Sequence, residues 1–275
     1  SLAEQIDRIL HGEELQIMEH CCEGEFAVLA TSIDKMVQRM LEQQSILQKE
    51  KVFLADSMAD ISHQMKTPLT SISLLLNLLQ EEHLSEKKRL QYVQDLMKLT
   101  GRIDWMVYAL LRLAKLDAGT VQLQQIPYQI EDLIKAAVTP LEIALDIRDI
   151  TLEVQIQPDL QHRGDISWMT EAVSNILKNC MEHTPSGGHI RIVTKDNPLY
   201  LLIKITDSGS GFTKQDLPHI FERFYRGQNA DTDSVGIGLA LAKRIIIAQN
   251  GTIRAYNHKK DGGAVFEIRM YKGAV

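Results

Sequence analysis

"DISHQMKTPLTSISLL", residues 60–75, places His63 five residues ahead of Pro68 in an otherwise helix-forming stretch. A proline inside a helix removes a backbone hydrogen bond and crowds the preceding turn. A polar ring just before such a residue is either an incidental surface histidine or a functional group, and the flanking sequence separates the two. Upstream, steps of seven from Phe26 reach Ile33, Met40, Leu47, Leu54 and Ile61, all apolar. The companion series Ala30, Val37, Gln44, Lys51, Met58 and Met65 is apolar except at two central positions. Two such series, offset by three and four residues, form the a/d seam of a coiled coil. With Ile61 at d, His63 falls at f and faces solvent on a paired helix.

Downstream, apolar residues continue through Ile72, Leu74, Leu75, Leu76, Leu78 and Leu79, and "EEHLSEKK" (81–88) reads as a polar connection. A second helix follows, with Leu90, Val93, Leu96, Met97, Ile103, Met106, Leu110 and Leu113 at helical spacings. The pattern predicts an α helical hairpin that dimerises into a four-helix bundle. Pro68 is expected to kink or loosen the first helix and act as a hinge. "LDAGTVQL" ends the second helix at Gly119, and the chain divides near residue 118.

Beyond that point strand-like pieces ("ITLEVQI", "HIRIVTK", "LYLLIKITD", "GTIRAYN", "AVFEIRM") alternate with helical ones ("IEDLIKAAVTPLEIAL", "DISWMTEAVSNILKNCMEHT", "GLALAKRIIIAQN"). This mixture predicts an α/β two-layer sandwich. The 275 residues, 44% hydrophobic and 24% charged, suit a soluble protein of one or two domains. A net charge of −6 gives no electrostatic case for nucleic acid. Cys21, Cys22 and Cys180 are too few for a disulfide framework, so reduced thiols are expected. No apolar run reaches the length needed to span a bilayer, and no signal peptide opens the sequence as given.

Three clusters in the second part call for chemistry. In "NILKNCMEHT", Asn175 and Asn179 lie four apart and share one helix face. Carboxamide oxygens suit a hard cation such as Mg2+. In "DSGSGF", Asp207 ends an apolar strand, while Gly209 and Gly211 permit close approach of a ligand. In "VGIGLALAKRII", Gly236 and Gly238 lead into a helix whose first N–H groups could face phosphate. The last cluster is neither a P-loop nor a dinucleotide fingerprint. Taken singly, each cluster also has a plain reading as surface, turn or loop.

In order, an HxxxTPL box, the asparagine helix, DxGxG, "FERFYRG", GxGLxLA and "DGGAVFEI" resemble a sensor histidine kinase of the two-component type. The resemblance covers the chain from about residue 24. It implies a HAMP-like linker remnant and signalling coiled coil over 1–50, a dimerisation and histidine-phosphotransfer hairpin over 51–118, and an ATP-binding domain of the Bergerat/GHKL type over 119–275. It makes His63 the phosphoacceptor, with Gln64, Lys66, Thr67, Pro68 and Leu69 completing its box. Thr67 matches the residue that positions water for dephosphorylating the regulator. Asn175 and Asn179 match the N box, with Asn179 as the magnesium ligand. Asp207, Gly209 and Gly211 match the adenine side. Phe221 and Phe224 match the aromatic box, Arg223 and Arg226 match lid cations, and Gly236, Gly238 and Leu239 match the triphosphate loop. Gly262 and Gly263 match the late glycine turn. ATP and Mg2+ are the implied cofactors, and a response regulator receiver domain and a second copy of the chain are the implied partners. The implied location is the cytoplasmic portion of a plasma-membrane protein, attached through an N-terminal segment absent from this sequence.

The chain departs from the family pattern in several places. Gln64 replaces the usual acid after the histidine; it can orient the ring but cannot accept a proton. Glu182 stands where a lysine is frequent, and Ala240 stands for a frequent glycine. The lid between Phe212 and Val235 carries no strong structural pattern. Asn175 replaces the catalytic glutamate of related chaperone and topoisomerase ATPases, which argues against an ATPase-driven clamp. A phosphatase-biased or scaffold sensor, binding ATP but transferring phosphate poorly, is the alternative to a kinase.

Overall fold

The computed structural model describes residues 25–81, 83–227, 235–258 and 262–272. The first 24 residues of the segment 1–50, expected to hold the linker remnant and signalling coiled coil, lie outside the described set. Two compact units divide between Ser62 and His63. Helix α1 runs from Glu25 to Leu79 with Pro68 inside it. In the first unit the α1 side chains Met36, Met40, Leu41, Ile46, Leu47, Val52 and Met58 are all exposed.

In the second unit α1 continues past Pro68 without interruption. The hydroxyls of Thr67, Thr70 and Ser71 donate to carbonyls one turn back, His63, Lys66 and Thr67 respectively. Such back-bonding accompanies a locally loosened helix. A short connection leads into α2 (Glu86–Asp117). The last half of α2 buries Met106, Ala109, Leu113 and Leu116 at 0–5% exposure in the same core as the α/β layer. This burial is why the hairpin's second helix and the α/β layer form one unit.

The layer contains β1 (Ile126–Gln129), α3 (Ile130–Val138), a 3-10 turn (Thr139–Leu141), α4 (Glu142–Ile147), β2 (Thr151–Gln155), β3 (Gln161–Gly164), α5 (Ile166–His183), β4 (His189–Asp196), β5 (Tyr200–Asp207), α6 (Gly238–Ala248), β6 (Gly251–Asn257) and β7 (Ala264–Tyr271). The five expected strands form one sheet in the order β2-β4-β5-β7-β6, antiparallel except for the β2–β4 pair. In β5 every second residue is buried (Leu201, Ile203, Ile205, Asp207), as a sheet covered on one face requires. Met169, Ala172, Val173 and Ile176 of α5, with Leu241, Ala242 and Ile245 of α6, complete the core.

Two features differ from expectation. The run 130–145 is not one helix, because the Thr139–Leu141 turn around Pro140 divides it. A second, two-stranded sheet pairs β1 with β3. Its strands, "IPYQ" and "QHRG", are short, polar and without clear alternation, so no periodic signal marked them.

Candidate functional site

Helix α5 starts where the Asp165 carboxylate accepts from the Ser167 and Trp168 N–H groups. Gln249, buried at the end of α6, accepts from the Asp165 N–H at 2.7 Å and fixes the two helices together. Asn175 and Asn179, one turn apart on α5, both face a cavity of about 450 Å³. Asp207 at the end of β5 and Gly211 just after it line the same space, as do Arg226, Gly236, Gly238 and Leu239. Residues from Asn175 to Leu239 thus converge on one concave space of the size typical for small-molecule sites.

Asp207 is 3% exposed. Its Oδ1 accepts from the Gly209 N–H at 2.9 Å and the Ala264 N–H at 3.0 Å. Cys180 packs beside it, its thiol held well above its ordinary value by burial and by the Asp207 carboxylate. Gly263 passes so close to Asp207 that an added Cβ would sit 1.9 Å from the Asp207 carbonyl oxygen. Gly209 supports this turn: a Cβ there would lie 2.4 Å from the His183 carbonyl oxygen.

Gly236 has φ +73, and a Cβ there would meet the Tyr225 carbonyl at 2.5 Å. The Phe224 N–H donates to the Gly236 carbonyl at 2.9 Å, pinning the middle of the expected lid to the residue that follows its end. Residues 228–234 of that lid lie outside the described set. Gly238 opens α6 with Asn175 Oδ1 3.4 Å from the position of its missing Cβ.

Phe221 and Phe224 do not line the cavity. They pack against the core, Phe221 edge-on to Phe266 with centroids 6.5 Å apart, and so anchor the base of the lid. Arg223 is not among the lining residues either: it pairs with Asp117 at the end of α2, which Arg244 also reaches at 2.7 Å. Asp117 follows the last buried residue of α2 and binds two arginines from the α/β layer. His63, Lys66 and Thr67 are exposed on α1 and Gln64 is half-buried; none lines the cavity. The Thr67 hydroxyl donates to the His63 carbonyl at 3.3 Å.

Sequence reasoning missed a polar knot within the lid region. Asp216 accepts from the Tyr225 hydroxyl at 2.7 Å and from the Thr213 hydroxyl at 2.8 Å. These bonds hold its carboxyl below the ordinary range and push the Tyr225 phenol up. "TKQD" at 213–216, a threonine three residues before an acid, was the available signal. It also missed the contribution of α2 to the cavity wall, for which a helical pattern gives no signal.

Residues 54–119 match the family model of the His Kinase A (phospho-acceptor) domain. Residues 164–273 match that of the histidine kinase-, DNA gyrase B- and HSP90-like ATPases. The heme sensor protein HssS of Staphylococcus saprophyticus is 28% identical over 97% of this chain and 55% of its own length. The sensor protein SphS of Synechococcus elongatus is 32% identical over 77% of this chain and 53% of its own. The chain therefore spans about half the length of the curated relatives it matches. The crystal structure of histidine kinase ThkA in complex with response regulator protein TrrA has the same fold, with a TM-score of 0.67 at 18% identity over 85% of this chain and 66% of that one. Phosphoacceptor hairpin and ATPase layer in this order define a class of signalling protein. The chain belongs to the sensor histidine kinases of two-component systems.

Proposed function

We propose that this chain is an ATP-dependent protein-histidine kinase that phosphorylates its own His63 and passes the phosphoryl group to an aspartate of a response regulator receiver domain. The observation that supports this best is the cavity in which two asparagines, Asp207 and the Gly236–Gly238 loop meet, although up to 63 residues separate them in sequence (175 to 238). In this reading residues 51–118 are the phosphotransfer hairpin, residues 119–275 bind the nucleotide, and residues 1–50 carry the signal. Asp207 receives the adenine amino group, Gly209 and Gly211 leave room for the base, and Phe221 and Phe224 seat the lid. Arg226, Gly236, Gly238 and Leu239 hold the phosphate side.

Among the described residues no three His, Cys, Asp or Glu side chains gather into a metal site. A cation here would rest mainly on nucleotide oxygens and water, which fits Mg2+ with Asn179 as its protein ligand and Asn175 beside it. When bound, magnesium neutralises charge on the phosphoryl oxygens. The unprotonated imidazole nitrogen of His63 attacks the γ-phosphorus, the bond to ADP breaks, a phosphorus–nitrogen bond forms, and the imidazole proton leaves. The attacking nitrogen carries no proton of its own, so its lone pair is available without a base. Gln64 orients the ring without accepting the proton, and Lys66 adds positive charge one turn away. Regulator dephosphorylation is also part of the proposal. For it, the Thr67 hydroxyl turns from the His63 carbonyl to hold water. The seam side chains exposed on α1 support a homodimer. Attachment to the plasma membrane through a preceding segment follows from the likeness to sensor proteins. No described helix is itself long and apolar enough to cross a membrane.

The test is incubation with Mg2+ and γ-labelled ATP beside the His63→Ala and Gln64→Glu variants. Acid-labile, base-stable label on the parent and none on His63→Ala is the expected result. Gln64→Glu should label faster, but by less than the roughly hundredfold that a general base typically supplies, because the attacking nitrogen carries no proton. ATP binding without label on the parent would favour the phosphatase-biased sensor instead.

A further inference from the structure

Helix α2 forms one wall of the cavity. Lys98, Gly101, Arg102 and Trp105 face the same space as Asn175 and Asn179. Lys98 and Arg102 lie four residues apart and share a face of the helix. The α5 wall carries Lys178 and Glu182, whose charges offset each other, and Lys178 Nζ also sits 5.4 Å from the centroid of the Trp105 ring. Asp207 and Asp216 already accept bonds from backbone N–H groups or hydroxyls. Those bonds leave both carboxylates charged, so among the described lining residues four cations (Lys98, Arg102, Lys178 and Arg226) face three carboxylates (Glu182, Asp207 and Asp216). It is the two α2 cations that turn the formal charge of the lining from negative to positive.

Gly101 adds an independent observation. A Cβ built there meets nothing within 4 Å, so no protein neighbour requires glycine. Glycine weakens a helix interior. Here the room it leaves belongs to the cavity. His63 lies 16 residues before Leu79, the end of α1 (79 − 63), and Arg102 lies 16 after Glu86, the start of α2 (102 − 86). Two arms of equal length returning from one short connection bring Arg102 to the height of the phosphoacceptor, each about 24 Å from the turn at the helical rise.

We propose that Arg102, with Lys98 one turn before it, is a phosphate-binding residue of the nucleotide site, supplied by the phosphotransfer hairpin rather than by the ATP-binding layer. The inference rests on the kinase reading above. A guanidinium matches the geometry of two phosphate oxygens, and an ammonium four residues away adds a second point of charge. Nucleotide polyphosphate then bridges α2 and the α/β layer, and ATP strengthens their association where adenosine does not.

The test is calorimetric titration of the full chain with MgATP, MgADP and adenosine. The parent is compared with Arg102→Ala, Arg102→Lys and Lys98→Ala, each checked for parental circular dichroism. Arg102→Ala should weaken MgATP about tenfold, the range of one charge-assisted contact, and leave adenosine unchanged. Arg102→Lys should recover only part of that loss, because an ammonium keeps the charge but not the two-oxygen fork, and Lys98→Ala should lose about threefold for MgATP only. Unchanged MgATP affinity in both alanine variants, or equal loss for adenosine and MgATP, overturns the inference. If Arg102→Ala does not fold, Lys98→Ala decides by the same criteria. A parent that binds no MgATP overturns the kinase reading itself and this inference with it. A parent that binds MgATP while Arg102 proves indifferent overturns the inference alone.

Discussion

At the scale of the residue, Gly262 and Gly263 stand side by side in the turn before β7 and owe their identities to different causes. Gly262 has φ +76 with open space around it, so alanine there meets only the backbone penalty of about 1–2 kcal/mol. Gly263 has no such φ, but its Cβ would stand 1.9 Å from the Asp207 carbonyl oxygen. Alanine at 263 must push β7 from β5 and disturb Asp207, whose Oδ1 accepts from the neighbouring Ala264 N–H. Urea unfolding should show Gly263→Ala destabilised by roughly 3 kcal/mol or more and Gly262→Ala by only about 1–2 kcal/mol. Gly263→Ala should also lose adenosine binding. Equal costs would refute the assignment. The glycine pair was legible in "DGGAVFEI", but which glycine is steric and which conformational was not. That distinction depends on a strand 57 residues away (207 to 264).

At the scale of the element, the β1–β3 pair carries a pH dependence. His162 on β3 is 8% exposed and lies edge-on to Tyr128 of β1, with centroids 6.0 Å apart. Burial, and secondarily Lys272, lowers its pKa, so the fold favours the neutral ring. Above the ordinary value of about 6.5 the ring is neutral folded or unfolded and contributes no slope. As pH falls below that value the unfolded chain takes up a proton first, and stability declines down to the depressed folded pKa. The thermal midpoint should therefore fall from pH 7 to pH 5, and His162→Phe should fall less. An unchanged slope in that variant would remove His162 as the cause. Carboxylates such as Asp216, whose pKa is also lowered, act at more acid pH. Periodicity located five strands, α1, α2, α5 and α6 to within a few residues, because each carries enough apolar repeats to define a face. It missed β1 and β3, four residues each, because a pair that short is specified by its neighbours.

At the scale of the whole molecule, the exposed apolar side chains of α1, together with Leu90, Val93 and Met97 of α2, form more unpartnered surface than scattered exposure accounts for. Sedimentation equilibrium should find a dimer. Gln44→Leu with Lys51→Leu, which completes the interrupted seam, should lower its dissociation constant at least tenfold if each apolar seam contact contributes about 1 kcal/mol. A monomeric parent, or no change in the double variant, would count against the bundle.

Local pattern determined much of this protein: its two long helices, the strands of the α/β layer, and the residue clusters around Asn175, Asp207 and Gly236 that meet at one cavity. Those features repeat at helix or strand spacing, or use residue types that few other chemistries need. Tertiary structure decided where α2 belongs. Helical periodicity marks an apolar face but not what covers it. Packing placed Met106 through Leu116 against the α/β layer, drew Arg223 onto Asp117, and made Arg102 part of the cavity wall. Such partnerships arise between residues about 100 positions apart, where only burial and charge in three dimensions choose the partner.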